Sequence, residues 1–378
     1  MLRREMSGET LNDETLALMT GENLEAAYDI AKAHDVVHLY ADALIHSGKV
    51  EEGTKLYRNL SRKRMLAVYR VTNFEYECDA LYKVFEDNRI PFIPLKGSVM
   101  RNMYREAWMR TSCDIDILVK VSDLERAIKA VVTDLRYTLV SEGWHDIALN
   151  APSGVHFELH FDTISHDGVA ATAPRVLSKI WHDAKRAEGS RYHYELSPEM
   201  FYFYHIAHMV QHFQNGGCGI RPFIDIFVLK DKLPLDRERL DALLKKGGLV
   251  TFEKEAKALS DYWFKNSTEN PSAGFEDMAE FIITGGVYGN LKNHSFITVG
   301  RKGKFGSVMN LIFLPYGRMR LKFPILKKHR WLLPFYWIKR GVRSVFKGRG
   351  LKNFDTVTSV DKEDVKRASE MMDRLDLK

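Results

Sequence analysis

Apolar residues recur at helical spacing from about residue 13 to residue 88, as in Leu24, Ala27, Tyr28, Ile30 and Ala31 and later in Leu66, Tyr69, Phe74, Leu81, Val84 and Phe85. This predicts an all-helical lead-in that turns at Ser47-Gly48 and ends at Asp87-Asn88. The period then changes. A short apolar run at 90–95 has Pro91 and Pro94 at its margins; proline cannot donate to a central ladder, so the strand is expected to be short or near an edge. Asp114-Ile115-Asp116-Ile117-Leu118-Val119 alternates strictly, the mark of a half-buried strand. At 155–161, Val155, Phe157, Leu159 and Phe161 share one face of a strand, and His156, Glu158, His160 and Asp162 the other. Between these two strands Ser122 and Glu125 have capping-box spacing and predict a helix over 122–136, followed by strands at 137–140 and 145–149 about a turn at Gly143. A further strand is expected at 190–195.

Past residue 196 the helical period returns. Ser197-Pro198-Glu199 combines a cap, a first-turn proline and an N-terminal acid, and the helix it starts should run to about Phe213, where Asn215-Gly216-Gly217 stops it. Further helices are expected at 221–233, 236–246, 252–264 and 275–284. Arg221 and Asp225, one helical turn apart, are expected to pair with each other. The last residues, from about 362, read as a short charged helix.

A chain of 378 residues exceeds the usual single domain. The changes of period divide it into a helical region at 1–88, a core of strands and helices at 89–196, a helical bundle at 197–300 and a C-terminal region at 301–378. Hydrophobic content of 45% and charged content of 28% are those of an ordinary globular protein and exclude a disordered chain. No apolar leader and no run of 18 apolar residues occurs, and three scattered cysteines suit neither a disulfide framework nor a zinc motif; a cytoplasmic protein, peripheral to a membrane at most, is expected. The net charge of +6 hides an asymmetry, because residues 301–350 carry 14 Lys and Arg and no Asp or Glu, leaving −8 for the rest. That segment interleaves its charge with Trp, Tyr and aliphatic residues. It suits a solvated helical face, an anionic lipid surface or a nucleic-acid groove.

Asp114 and Asp116, two apart on a strand, share a face about 7 Å apart at the backbone, so their carboxylates can converge on metal from a rigid support. Upstream, the Lys96-Gly97-Ser98 turn opens a helix running to about Tyr104 and offers a glycine for close approach, free N–H groups and a hydroxyl, the groups that suit a phosphate. His205, His208 and His212 fall on one face of an apolar helix. They suit a polar wall of a pocket, a buried structural role or, without further Cys or His partners nearby, a metal.

Strand, Gly-Ser turn, helix, Asp-x-Asp strand, helix and a later apolar-Glu-apolar strand resemble the nucleotidyltransferase superfamily that includes DNA polymerase beta and the antibiotic nucleotidyltransferases. More narrowly, Leu95-Lys96-Gly97-Ser98, Arg110 ahead of Asp114-Ile115-Asp116, and Glu158-Leu159-His160 resemble a family of uncharacterised bacterial nucleotidyltransferases. The resemblance implies an α+β fold, a small mixed sheet flanked by helical regions. It also implies transfer of a nucleoside monophosphate from a nucleoside triphosphate, such as ATP, to an acceptor hydroxyl with release of pyrophosphate. Asp114, Asp116 and Glu158 would hold two Mg2+ ions, with Mn2+ as the alternative, about 3.5–4 Å apart. Lys96, Gly97, Ser98 and Arg110 would hold the triphosphate, and His160, His205, His208 and Arg221 are candidate pocket residues. A nucleotide-binding module without activity, and an enzyme acting on RNA or protein, are the rival readings.

Overall fold

The structure is a computed structural model that describes residues 1–8, 17–164, 172–265, 274–287, 289–346 and 349–377. Residues 13–16 of the expected lead-in and 347–348 of the basic segment lie outside the described residues. The fold is α+β. Helices Gly21–Ala33, Val37–His46 and the long Lys55–Asp87 lead into a five-stranded mixed sheet, and helices follow it to the C-terminus. The long helix starts where the Thr54 hydroxyl accepts the Tyr57 N–H, a cap that satisfies one of its free donors.

The strands are β1 (Phe92–Leu95), β2 (Asp114–Val119), β3 (Thr138–Glu142), β4 (Asp146–Asn150) and β5 (His156–His160). Their spatial order is β1-β2-β5-β4-β3, so the proline-flanked β1 lies at an edge as expected. β2 and β5 are the parallel pair, with Asp114 opposite His156, Asp116 opposite Glu158 and Leu118 opposite His160. The other neighbours run antiparallel. The strand expected at 190–195 is reduced to Tyr194–Glu195, paired with Lys185–Arg186.

β2 is not half-buried. One face of the sheet presents Ile115, Ile117, Val119, Phe157 and Leu159 to Phe74, Leu81 and Phe85 of the long helix and to Ala127 and Val131 of the helix Leu124–Asp134. The opposite face is covered as well. Ile93, Leu95 and Leu118 belong to a larger core with Phe203, Ile206 and Val210 of the helix Pro198–Gln214. Alternation along β2 therefore separates two buried environments, one apolar and one that turns polar at Asp116. Each large apolar side chain removed from water here contributes about 1.5–3 kcal/mol.

Two local expectations need correction. The helix after β1 is a single turn, Gly97–Met100, continued by a 3-10 turn Arg101–Met103, because Tyr104 adopts extended backbone. The Ser122–Glu125 capping box does not form, since a 3-10 turn Val121–Asp123 precedes the helix and makes Asp123 its first flanking residue, without a side-chain cap bond. Pro198–Gln214, by contrast, starts as its sequence dictates, with the Ser197 hydroxyl accepting the Met200 N–H at 3.3 Å.

Helices Arg221–Lys232, Arg237–Gly247, Val250–Phe264 and Phe275–Gly285 follow. Leu291–Ile312 breaks its helical backbone at Gly303 and packs against Arg349–Thr358 and Lys362–Arg374. Gln214 donates to the Leu377 carbonyl at 2.8 Å and ties the end of the chain to the central helix. Among the described residues no helix is long and apolar enough to cross a membrane.

Candidate active site

The polar face of β2 and β5 forms one wall of a cavity of about 350 Å³. Lys96, Gly97, Asp114, Asp116 and Glu158 line it from the sheet side, and Tyr204, His205, His208 and His212 from the Pro198–Gln214 helix. The parallel register brings Asp116 and Glu158 side by side, with Asp114 one pleat earlier on the same face. The three carboxylates singled out in the sequence thus meet at one cavity.

Asp116 is the best-held of them. Its Oδ1 accepts from Lys96 Nζ at 2.8 Å and from His160 Nε2 at 2.8 Å, and both side chains are largely withdrawn from water. Burial alone would raise the Asp116 carboxyl, but the Lys96 charge and the His160 hydrogen bond hold it well below the usual range. Burial would likewise lower Lys96, yet the carboxylates of Asp116, Asp114 and Glu158 raise it well above its ordinary value. His160 Nε2 also lies 3.3 Å from Glu158 Oε2. The two hydrogen-bonded carboxylates raise the imidazole in spite of its burial, and Glu158 is lowered in return against its own desolvation. Among the described residues Asp114 has no such partner. Desolvation first, then the neighbouring Asp116 charge, push its carboxyl up to about 6.

The backbone that presents Lys96 is itself unusual, with φ of 47° and ψ of −124° at a residue that is not glycine. Such conformations cost on the order of 1–3 kcal/mol and persist where the surroundings enforce them. Gly97 next to it admits no side chain, because a Cβ there would lie 2.0 Å from the Ser112 hydroxyl oxygen. Ser98 departs from the expected phosphate-binding trio. It is buried and is not among the residues lining the cavity, since the single helical turn carries its side chain inward.

Arg110 lines the cavity but is engaged. Its Nε and Nη2 donate to the two carboxylate oxygens of Asp225 at 2.6 and 2.9 Å, and its Nη1 to the Thr111 carbonyl at 2.7 Å. Asp225 also accepts from the Tyr104 hydroxyl at 2.7 Å. Arg221 and Asp225 therefore do not pair as their helical spacing suggested. Arg221 reaches back to Asp35 at 3.1 Å and to the Thr111 carbonyl at 3.2 Å. Asp225 and Arg221, both on the helix Arg221–Lys232, thus hold Arg110 and Thr111, just ahead of β2, from far along the chain.

The histidines divide. His205 is fixed on the Pro222 carbonyl at 3.1 Å, a structural contact. His208 and His212 share a hydrogen bond between their Nε2 atoms at 3.1 Å, and burial holds both below the ordinary range, His212 at about 4. His145 stacks on His160 with ring centroids 5.5 Å apart. Tyr204 is fully buried, and among the described residues its hydroxyl has no hydrogen-bond partner although it borders the cavity. Neither His145 nor Tyr204 was singled out in the sequence. The spacing of Tyr204 four residues before His208 carried a signal for the tyrosine, whereas His145 reaches the site only through the β4–β5 pairing.

Asp116, Glu158 and His160 place ligand atoms within 4.8 Å of one another, the one group of that kind among the described residues. Oxygen donors backed by a histidine fit a divalent cation of the magnesium or manganese type. No curated protein and no solved structure matches the chain. The model of a family described as an uncharacterised nucleotidyltransferase does match residues 20–265, well over half of the chain, from the helical lead-in through the carboxylate strands to the helices that cover them. The chain belongs to that nucleotidyltransferase family.

Proposed function

We propose that the protein transfers a nucleoside monophosphate from a nucleoside triphosphate to the hydroxyl of a small molecule, sugar or natural product, with release of pyrophosphate. The observation that carries this reading is the parallel pairing of Asp116 with Glu158 beneath a cavity that Asp114 and Lys96 also enter. Asp114, Asp116 and Glu158 would hold two magnesium ions, and the adjacent His160 makes manganese the alternative. When bound, the metal supplies Lewis-acid stabilisation of phosphoryl oxygens.

The chain's own groups do the remaining work. Lys96, which lines the cavity beside the Gly97 turn, would neutralise triphosphate charge there. Glu158, kept ionised by His160, accepts the acceptor's proton. Ser98 shapes the turn rather than touching phosphate. Arg110 contributes by fixing the segment that leads into β2, and Tyr204 offers its hydroxyl to the nucleotide or acceptor.

The test is pyrophosphate release from each nucleoside triphosphate in the presence of a metabolite extract, RNA or protein. Asp114→Asn, Asp116→Asn and Glu158→Gln are each expected to abolish release with the melting temperature little changed, because charge is lost but volume is not. Normal turnover by all three variants would overturn the assignment. Nucleotide binding without release under any acceptor would leave the module without activity.

A further inference from the structure

The C-terminal basic segment carries more than charge. In the helix Leu333–Phe346 and the turn before it, Trp331, Phe335, Ile338 and Val342 are exposed at 75, 59, 68 and 51%. Their spacing of four, three and four residues places them on one helical face. Lys339 and Arg343 follow Phe335 and Val342 around the helix and flank that face, and both are exposed. The helix is docked by its other side. Trp337 Nε1 donates to the Leu314 carbonyl at 2.8 Å, Arg340 donates to Ile312 at 3.0 Å, and Trp337 packs edge-on against Phe313. Beside it the end of Leu291–Ile312 exposes Phe305, Met309 and Ile312, again four and three residues apart.

We propose that this face docks on the surface of an anionic phospholipid bilayer, the apolar stripe entering the interface and the basic rim meeting lipid phosphates. An orderly apolar stripe that is left open on a docked helix needs an apolar partner. The 14 Lys and Arg of residues 301–350, with no acid among them, require that partner to be negatively charged. A nucleic acid meets the charge but has no use for Ile338 and Val342, since its bases stack on aromatic rings.

The position of the face gives it a bearing on the cavity. Gly317 sits so close to Trp144, in the β3–β4 turn, that a Cβ there would lie 1.8 Å from the ring. Arg320 stacks on the same ring at 5.5 Å, and Lys327 pairs with Glu142. The next two residues, His145 and Asp146, line the cavity. The basic segment is thus fastened to the rim of the active site, and a bilayer bound there would bring membrane-borne acceptors to that rim.

The experiment is flotation of the intact protein with vesicles of phosphatidylcholine alone and with one quarter phosphatidylglycerol, across a salt series. Binding is expected only with the anionic vesicles and should fall at least tenfold as salt rises well above the physiological level, where screening is already about 8 Å. Changing Phe335, Ile338 and Val342 together to Ser should abolish flotation, with nucleotide binding and melting temperature retained as controls. Should that variant fail to fold, brominated lipid provides a second reading: it should quench the fluorescence of intact protein, and Trp331→Phe should remove the quenched component. No flotation at low salt, flotation indifferent to lipid charge, or binding of RNA without binding of vesicles would each overturn the proposal. None of these readouts depends on nucleotidyl transfer, so the proposal and the proposed activity stand or fall separately.

Discussion

Changing Asp225 to Asn tests whether the segment ahead of the carboxylate strand is held by a buried charge pair. Asp225 accepts two bonds from Arg110 and one from Tyr104, and the pair is almost wholly shielded from water, at 1 and 11% side-chain exposure. Asparagine keeps the shape, but it loses the charge and turns an N–H toward the guanidinium. Removing one partner of a buried pair leaves the other charge uncompensated and costs about 3–5 kcal/mol. At about 2–4 °C per kcal/mol for a domain of a few hundred residues, the melting temperature should fall on the order of 10 °C. Arg110→Met combined with Asp225→Leu removes both charges and should recover most of that loss, since apolar replacement of a whole buried pair is often neutral. The assay is thermal unfolding of the three proteins under identical conditions, without nucleotide. If Asp225→Asn melts within about 2 °C of the wild type, or if the double change is worse than the single one, the pair does not anchor the segment and the reasoning fails.

Three further outcomes follow from the same geometry. His38, buried, and His212, half-buried, are both held at about 4, below the ordinary 6.5, so the stability they permit is present above 6.5 and is lost as pH falls from 6.5 toward 4; each should cost about 1.4 kcal/mol at pH 5.5, and a urea midpoint unchanged between pH 7.5 and 5.5 would contradict this. Tyr204→Phe removes a buried hydroxyl that lacks a partner, so stability should hold or rise by up to about 1–3 kcal/mol while calorimetric nucleotide or acceptor affinity drops about tenfold; unchanged affinity would make the hydroxyl a bystander. Gly97→Ala forces a methyl against Ser112 and should lower stability by about 1–3 kcal/mol and raise the nucleotide KM, an expectation that a wild-type KM would defeat.

Much of this site could be read from residues close together in sequence. The alternation of Asp114 to Val119 and of Val155 to Phe161 is local, and so are the cap at Ser197 and the glycine beside Lys96; these gave the strands, the main helix and the three carboxylates. What escaped depends on partners brought from elsewhere in the chain. Helical spacing favours Arg221 with Asp225, but Asp35 and Arg110 reach them from other elements and win, Arg110 by making two bonds to Asp225 in a nearly dry space. The second buried face of β2 was hidden for the same reason, since no pattern in β2 shows that Pro198–Gln214 will lie across it. Ser98 looked like a phosphate ligand in sequence, yet the single helical turn turns it inward. The exposed stripe of Leu333–Phe346 becomes visible only once its other side is seen to be docked.

The side-by-side placement of Asp116 and Glu158 has a consequence for how this protein tolerates insertions and deletions. In β5 the same parity that turns Glu158 toward the cavity turns Phe157 and Leu159 into the opposite core. Gaining or losing one residue just before β5 would exchange the two sets, exposing the acid to the greasy side and two large apolar groups to the polar one. Such a variant fails as a fold before it can fail as a catalyst. Length changes in the Pro152-Ser153-Gly154 turn should therefore survive only where the strand keeps its phase, and any that yield a well-folded protein should arrive with the acidic pair already in place.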